Sequence, residues 1–252
     1  MHEVYQPEFQ NQKEAIQKII ANFEADGILF VNGKRNKIKL FELNGITVNV
    51  KSFKIPNLVN QIVYKFFRKS KARRSFEFAN ILLQKGIGTP QPIAYFENLN
   101  FVLRDSYYIS EQLQADLTFR ELTNDLNFPE HEIILRQFTQ FCFTLHENGI
   151  EFLDHTPGNT LIKKVRNQQY AFFLVDLNRM QFHQSMDFEQ RIVNLSKLTP
   201  RQELVEIMSD EYAKLYGKSY EEVLSKMIKH TQYFKNRFIR KKKLKKQLMF
   251  WR

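Results

Sequence analysis

Between Ile28 and Phe53 the chain reads "ILFVNGKRNKIKLFELNGITVNVKSF", three apolar runs separated by two Asn-Gly pairs. Asn and Gly accept the positive φ values that tight hairpin turns require, so Asn-Gly between apolar runs marks a hairpin. Two in succession predict a three-stranded antiparallel meander. Upstream, "NQKEAIQKIIANF" places Ile16, Ile19, Ile20 and Phe23 at the spacing of an amphipathic helix, closed by Gly27.

Downstream, "ARRSFEFANILLQKG" predicts a second helix with Phe76, Ala79 and Leu83 on one face, Gly86 at its end and Pro90 beyond. "IAYFE" and "SYYISEQL" predict two further strands. From about Leu117 the periods are helical, broken by "FLDHTPGNTLI" and "QYAFFLVDLNRM". There are no internal repeats and no linker rich in Pro, Gly or Ser. Strands with one main helix, then mostly helices, predict an α+β chain in two lobes with a cleft near "SEQLQ".

Composition narrows the function. At 252 residues the chain can bury a sizeable core, and 24 Phe with 10 Tyr exclude a disordered chain. A single cysteine, Cys142, excludes an internal disulfide and fits a reducing compartment; its setting, "RQFTQFCFTL", predicts a buried, inert thiol. The N-terminus carries acids early and lacks the apolar core of a secretory signal. No apolar run approaches the ~20 residues of a membrane helix. The expectation is a cytoplasmic protein, soluble or peripheral. Of the net charge of +11, nine Lys or Arg lie between Lys235 and Arg252 with no acid among them, leaving +2 for the rest.

The chemistry lies elsewhere. Asp154 and Asn159 have the spacing D-x-x-x-x-N, in which the Asp takes the proton of an attacking hydroxyl and the Asn holds a magnesium ion. Both belong on one rigid loop, because acceptor oxygen, phosphorus and metal must line up within a few ångströms. Asp176 ends an apolar run seventeen residues after Asn159, where a hairpin would return a second carboxylate. Mg²⁺ takes hard oxygen ligands, commonly one or two carboxylates plus substrate phosphates. On "ITVNVKSF", alternation puts Ile46, Val48 and Val50 on one face and Thr47, Asn49 and Lys51 on the other. Lys51 can therefore reach nucleotide phosphates, and is preferred to Lys54, which has the opposite parity just before Pro56. Glu77 on the following helix is the candidate clamp for Lys51.

Strand Lys, helix Glu, D-x-x-x-x-N loop and strand-end Asp, in that order, are the set of protein-kinase-like enzymes. The chain resembles the lipopolysaccharide kinases, which phosphorylate Kdo or heptose sugars on lipid A and its core. The resemblance runs from about Gly27 to Gly217. It is carried by "VNVKSF", "SKARRSFEFANILLQKGIGTPQPIAYFE", "LDHTPGNTLI", "LVDLNR" and "RIVNLSKL". It implies a bilobal protein-kinase-like fold, with a small β-rich N-terminal lobe over 1–112 and a larger, mostly helical C-terminal lobe over 113–234. A basic-aromatic tail covers 235–252. It further implies ATP and Mg²⁺ as cofactors, Lys51 on the phosphates with Glu77 as its partner, Asp154 as base, and Asn159 and Asp176 on the metal. The expected acceptor is a lipid-linked saccharide at the inner face of the cytoplasmic membrane.

Three positions depart from the pattern. Phe152 stands where kinases usually place a His, Asp176 is followed by Leu-Asn-Arg, and the nucleotide-covering hairpin offers only Gly33, with Lys34 or Arg35 to compensate. Blander readings compete at several positions. Asp154 can simply open a turn, Glu77 can pair with Arg73 or Arg74 along its own helix, and Arg179 can contact a phosphate or pair with a nearby acid. The basic run "YKFFRKSKARR" can be a solvated face or serve an anionic acceptor. The six histidines show no zinc spacing.

The tail "KNRFIRKKKLKKQLMFWR" sets Leu244, Leu248 and Trp251 at i, i+4, i+7 among its charges, the pattern of an anchor on anionic lipid. A solvated basic end is the plain alternative. A nucleic-acid binder is not expected, because most Phe residues fall at core periods instead of interleaving with charges. The remaining alternatives are a kinase of another small alcohol or of protein, and a membrane-associated pseudokinase scaffold. A complete set of Lys51, Asp154, Asn159 and Asp176 argues against the scaffold.

Overall fold

The computed structural model describes residues 1–33, 36–54, 69–99 and 103–250. The chain forms two units, Met1–Gln114 with Leu174–Asn178, and Ala115–Phe173 with Arg179–Arg252.

The first unit is built on a six-stranded sheet of β1 (His2–Tyr5), β2 (Ile28–Asn32), β3 (Asn36–Leu43), β4 (Ile46–Phe53), β5 (Pro92–Leu99) and β6 (Leu103–Glu111), in the order β1-β5-β6-β4-β3-β2. The meander is present as the sequence predicts. Asn44 and Gly45 take φ of 50° and 87° and join β3 to β4 with Leu43 opposite Ile46, the two-residue turn that matches strand twist.

Helix α1 (Lys13–Ala21) packs Ile16 and Ile20 on one face of the sheet, against Val48, Val50, Ile93, Phe96 and Ile109. It stops at Ala21, short of Gly27. Gly27 is needed at the start of β2 instead, where φ is 82° and a Cβ would stand 2.5 Å from the Phe41 ring. Helix α2 (Lys71–Gln84), capped by Ser70 on the Arg73 amide, sets Ala72 and Phe76 against Phe53 and Tyr95. Its buried stripe continues to Ala79 and Leu82, one residue before the Leu83 read from the sequence.

Strand β1 has no counterpart in the sequence reading. "HEVY" is four residues long and half polar, and it is held by pairing with β5, His2 opposite Glu97 through Tyr5 opposite Ala94.

The second unit is mostly helical: α3 (Phe119–Asn124), α4 (His131–Glu147), α5 (Phe188–Leu195), α6 (Gln202–Tyr216) and α7 (Tyr220–Phe250). Capping boxes start α3 (Thr118 with Glu121) and α5 (Asp187 with Gln190), and Gly217 ends α6 at φ 76°. Small sheets of β7 (Leu117–Thr118), β9 (Thr160–Arg166) and β10 (Gln169–Leu174), and of β8 (Ile150–Phe152) with β11 (Met180–Phe182), frame its loops. Its core joins Phe119, Phe138, Cys142, Ile192, Met208 and Tyr212, and α7 contributes Val223 and Met227. Residues 235–250 continue α7 and do not form a separate segment.

Candidate functional site

Strand β4 sorts its side chains by parity. Val48 and Val50 enter the α1-side core, while Lys51 and Phe53 turn to the α2 side. Lys51 is 8% exposed, and its Nζ donates to Asp176 Oδ1 at 2.5 Å. The Phe53 ring lies beneath the ammonium, 5.3 Å from centroid to Nζ. Lys54 is exposed beyond the end of the strand.

Asp176 is aimed by its backbone. The Leu174 amide donates to the Gly88 carbonyl at 2.9 Å, and Thr89 Oγ1 donates to the Leu174 carbonyl at 2.8 Å. Two residues on, Asp176 adopts φ 61°, a left-handed conformation that Asp and Asn tolerate better than other L residues. Asn178 Nδ2 donates to Asp176 Oδ1 at 2.8 Å, and the buried Arg74 of α2 donates to the Asn178 carbonyl at 2.6 Å. Arg74 and Asn178 thus position the carboxylate. Neither was recognised from the sequence, where Arg74 reads only as a neighbour of Glu77.

Glu77 departs from expectation. Its carboxylate is held by Lys69 at 2.8 Å and by Arg73 at 2.9 Å, not by Lys51. The reason is local: Arg73 lies one helical turn before it on the same face, and that pairing needs no tertiary contact. These cations hold the Glu77 carboxyl below the usual range against the opposing effect of burial.

The strand pairing adds an apolar strip on the Lys51 side of the sheet. Ile38 is opposite both Lys51 and Val31, and Leu40 is opposite both Asn49 and Ile28. Ile28 is 74% exposed and Val31 38%. An open apolar surface beside an ammonium suits a flat base joined to phosphates. Parity extended across the meander would have found it. Lys34 and Arg35 lie outside the described residues.

In the second unit the Asp154–Asn159 loop is stiffened from within. A short 3-10 turn spans Pro157–Asn159, the Asn159 amide donates to the Thr156 carbonyl at 2.9 Å, and the Leu153 amide donates to the Arg179 carbonyl at 3.0 Å. Asn159 Nδ2 donates to the Asp154 carbonyl at 2.8 Å. Asp154 Oδ1 accepts from Arg179 Nη1 at 2.9 Å, so Arg179 pairs with the candidate base.

Phe152, two residues before Asp154, is fully buried. His155 stacks on its ring at 5.3 Å and 27° and is fully buried. The His155 Nε2 lies 3.3 Å from Thr160 Oγ1, while Nδ1 is buried with no partner. Asn194 Nδ2 donates to the Phe152 carbonyl, and its Oδ1 meets His146, which also bonds Tyr212. Burial drives the pKa of His155 down to about 3 and of His146 to about 4, so both support the loop as neutral rings.

The donor chemistry fits magnesium. Asn159, with its amide nitrogen committed to Asp154, keeps Oδ1 without a partner among the described residues, and Asp176 keeps Oδ2. Both are hard oxygens, the kind Mg²⁺ requires. No group of three or more His, Cys, Asp or Glu able to hold a metal occurs among the described residues.

No protein-family profile and no curated protein sequence matches the chain. In structure it is similar to WaaP in complex with acyl carrier protein, with a TM-score of 0.65 and 15% identity over 94% of this chain and 98% of that one. The MAP kinase LmaMPK10 from Leishmania major gives a TM-score of 0.49 and 14% identity over 85% of this chain and 65% of that one. The chain has an α+β fold of the protein-kinase-like type, its sheet unit coming first and its helical unit second.

Proposed function

We propose that the protein is an ATP- and Mg²⁺-dependent kinase that phosphorylates a Kdo or heptose hydroxyl of a lipid-linked saccharide. The observation that carries this reading is the Lys51–Asp176 pair. Two residues 125 apart in sequence meet at 2.5 Å in a chain of kinase-like fold, each a candidate read from its own motif. The resemblance to lipopolysaccharide kinases supplies the acceptor.

In this reading Lys51 binds the nucleotide phosphates and Asp154 accepts the proton of the attacking hydroxyl. Its Oδ2 has no partner among the described residues, and Arg179 on Oδ1 fixes the orientation of the carboxylate. Asn159 and Asp176 would hold magnesium, which when bound neutralises charge on the phosphates. The neutral His155 under the loop keeps Asp154 in place through the reaction.

The basic helix end completes the proposal. Tyr233, Phe238 and Leu244 of α7 are each more than half exposed among Lys and Arg residues, a face suited to anionic lipid. In this reading α7 attaches at the inner face of the cytoplasmic membrane; no described helix is long and apolar enough to cross a membrane. The side chains of Leu248 and Trp251 lie outside the described residues. Acyl carrier protein, the partner in the WaaP structure, is the protein partner to test by pull-down.

The test is mass spectrometry of lipid A and core from cells with and without the gene, paired with transfer from γ-labelled ATP to purified Kdo-lipid A. Loss of one phosphate in the cells and gain of label in the tube are expected. Nucleotide binding without transfer to any acceptor would make the protein a pseudokinase.

A further inference from the structure

Two arginines of the second unit contact the Asp154–Asn159 loop, and a lysine of the same unit lies within electrostatic reach of Asp154. Arg179, just before β11, bonds Asp154 Oδ1 at 2.9 Å. Arg120, on α3, lays its guanidinium on Gly158: a Cβ there would stand 2.7 Å from Nη2 and 3.1 Å from Cζ. Gly158 is not among the glycines with positive φ. The space above Gly158 is filled by the Arg120 guanidinium, the end of a flexible side chain that a Cβ would push aside. Lys197, in the turn after α5, is partly buried and within electrostatic reach of Asp154, Glu151 and Arg179. Among the described residues, neither the Arg120 guanidinium nor the Lys197 ammonium makes a hydrogen bond or an ion pair.

The acids named here fall one charge short of the three cations. Asp154 is matched by Arg179, and Glu151, which also accepts from His183 Nε2 at 3.0 Å, is the other acid within electrostatic reach of Lys197. Removing a proton from a neutral alcohol gives no reason to crowd its base with cations. Holding Lys197 partly buried without a partner also has a cost, since burial pulls its pKa below the ordinary lysine value. Such a group is retained where a ligand supplies the missing charge. Lys51 serves the donor phosphates in the first unit, whereas these three cations share a unit with the base that meets the acceptor.

We propose that Arg120, Arg179 and Lys197 form an anion site for the acceptor, so that the molecule phosphorylated carries a carboxylate or phosphate close to the reacting hydroxyl. This rests on the kinase reading and specifies its substrate class. The acceptor oxygen bonds the γ-phosphorus of ATP, the bond from that phosphorus to the bridging oxygen breaks, ADP leaves with the electron pair, and the proton passes to Asp154. The three cations keep their protons and hold the neighbouring anion.

The experiment uses the full chain, with Arg120→Met, Lys197→Met and Gly158→Ala. The last displaces the end of a flexible side chain and leaves the loop backbone unstrained. Free Kdo tests a carboxylate, its methyl ester the neutral control, and inorganic phosphate the other anion. Binding is read from the arginine Nε–H resonances and, in turnover, from the acceptor KM. Each variant should weaken one of the two anions by about tenfold, as loss of a charged hydrogen bond does. The ester should respond to none of them, and the KM for ATP should not move.

A carboxylate-selective response names an acidic sugar, and a phosphate-selective one names a phosphorylated saccharide; either supports the site. If neither anion shifts the resonances, or if the variants lower kcat equally for acid and ester at unchanged KM, the proposal is overturned. Anion binding that is sensitive to the variants in a protein that transfers no phosphate would uphold the site and sink the kinase reading. Transfer to neutral acceptors, unaffected by the variants, would do the reverse.

Discussion

Arg74 donates to the backbone carbonyl of Asn178 at 2.6 Å, and through that bond helix α2 holds the turn that carries Asp176. Arg74→Met leaves a buried carbonyl without this donor and should cost roughly 1.5–3 kcal/mol of stability. Turnover should fall at least about tenfold, because Asn178 would no longer hold Asp176 in place. Urea denaturation and single-turnover kinetics read the two effects separately. Stability lost with turnover intact would show that Asp176 is aimed without Arg74.

Asp154→Asn keeps the shape of the loop and removes the base. It should cost ~10²–10⁴ in rate with ATP binding retained. Asp176→Asn should abolish transfer and weaken ATP binding only when Mg²⁺ is present. Lys51→Ala should lose activity while Lys54→Ala keeps most of it. More than about a tenth of wild-type turnover in Asp154→Asn places it outside the range of a general base.

Glu77 should be expendable. With its carboxylate committed to Lys69 and Arg73 on a partly exposed face, Glu77→Gln should change turnover by less than about threefold, the scale of a surface ion pair. A hundredfold loss would mean that Glu77 leaves these partners for Lys51 during the reaction.

Acid should loosen the second unit through its buried imidazoles. His155 and His146 have folded pKa values of about 3 and about 4, below the ordinary 6.5. Below pH 6.5 the unfolded chain therefore binds protons that the folded chain refuses. Their contribution to stability is intact above 6.5 and declines as pH falls toward 4, by at most about 1.4 kcal/mol per unit for each ring. Urea midpoints measured between pH 7 and pH 4 check this, and His155→Leu should flatten the slope relative to wild type. An unchanged slope would show that other groups dominate the acid transition.

Deleting residues 235–252 should spare the fold, because α7 is anchored by Val223 and Met227, which lie before the deleted stretch. The truncated protein should fail to float with anionic vesicles that carry the full chain. Nine charges at about 1 kcal/mol each set a ceiling of ~9 kcal/mol, and half of that is about a thousandfold in partitioning. RNA serves as the competitor. Full-length protein that ignores vesicles and shifts RNA would overturn the membrane reading.

The fold was legible where local chemistry decides it. Asn44-Gly45 set a hairpin, Gly86 ends α2, and the alternation of β4 put Lys51 on the face away from Val50. The candidates Asp154 and Asn159 come from a spacing within one segment, and they do share one loop, with Asn159 Nδ2 on the Asp154 carbonyl. What escaped depends on distant pairing. "HEVY" becomes a strand only against β5, and Arg74 matters only because Asn178, 104 positions away, meets it. His155 shows no metal pattern, yet it supports the loop by stacking on Phe152. Glu77 erred in the other direction: a partner one turn away satisfied it before a remote one was needed.

Residues Leu174–Asn178 belong to the first unit although the chain has by then built much of the second. On the ribosome, the first 114 residues therefore emerge without the segment whose Leu174 pairs with Gly88 and Thr89 and whose Asp176 receives Lys51. Until some sixty more residues are made, Lys51 has no counter-charge and Arg74 has no Asn178 to hold. The nascent sheet unit must wait, unfinished, for a short piece of chain that arrives late. The first unit is therefore completed only by chain made after the second has begun, and slowing synthesis between residues 114 and 178 is expected to lengthen the time the sheet unit stays unfinished.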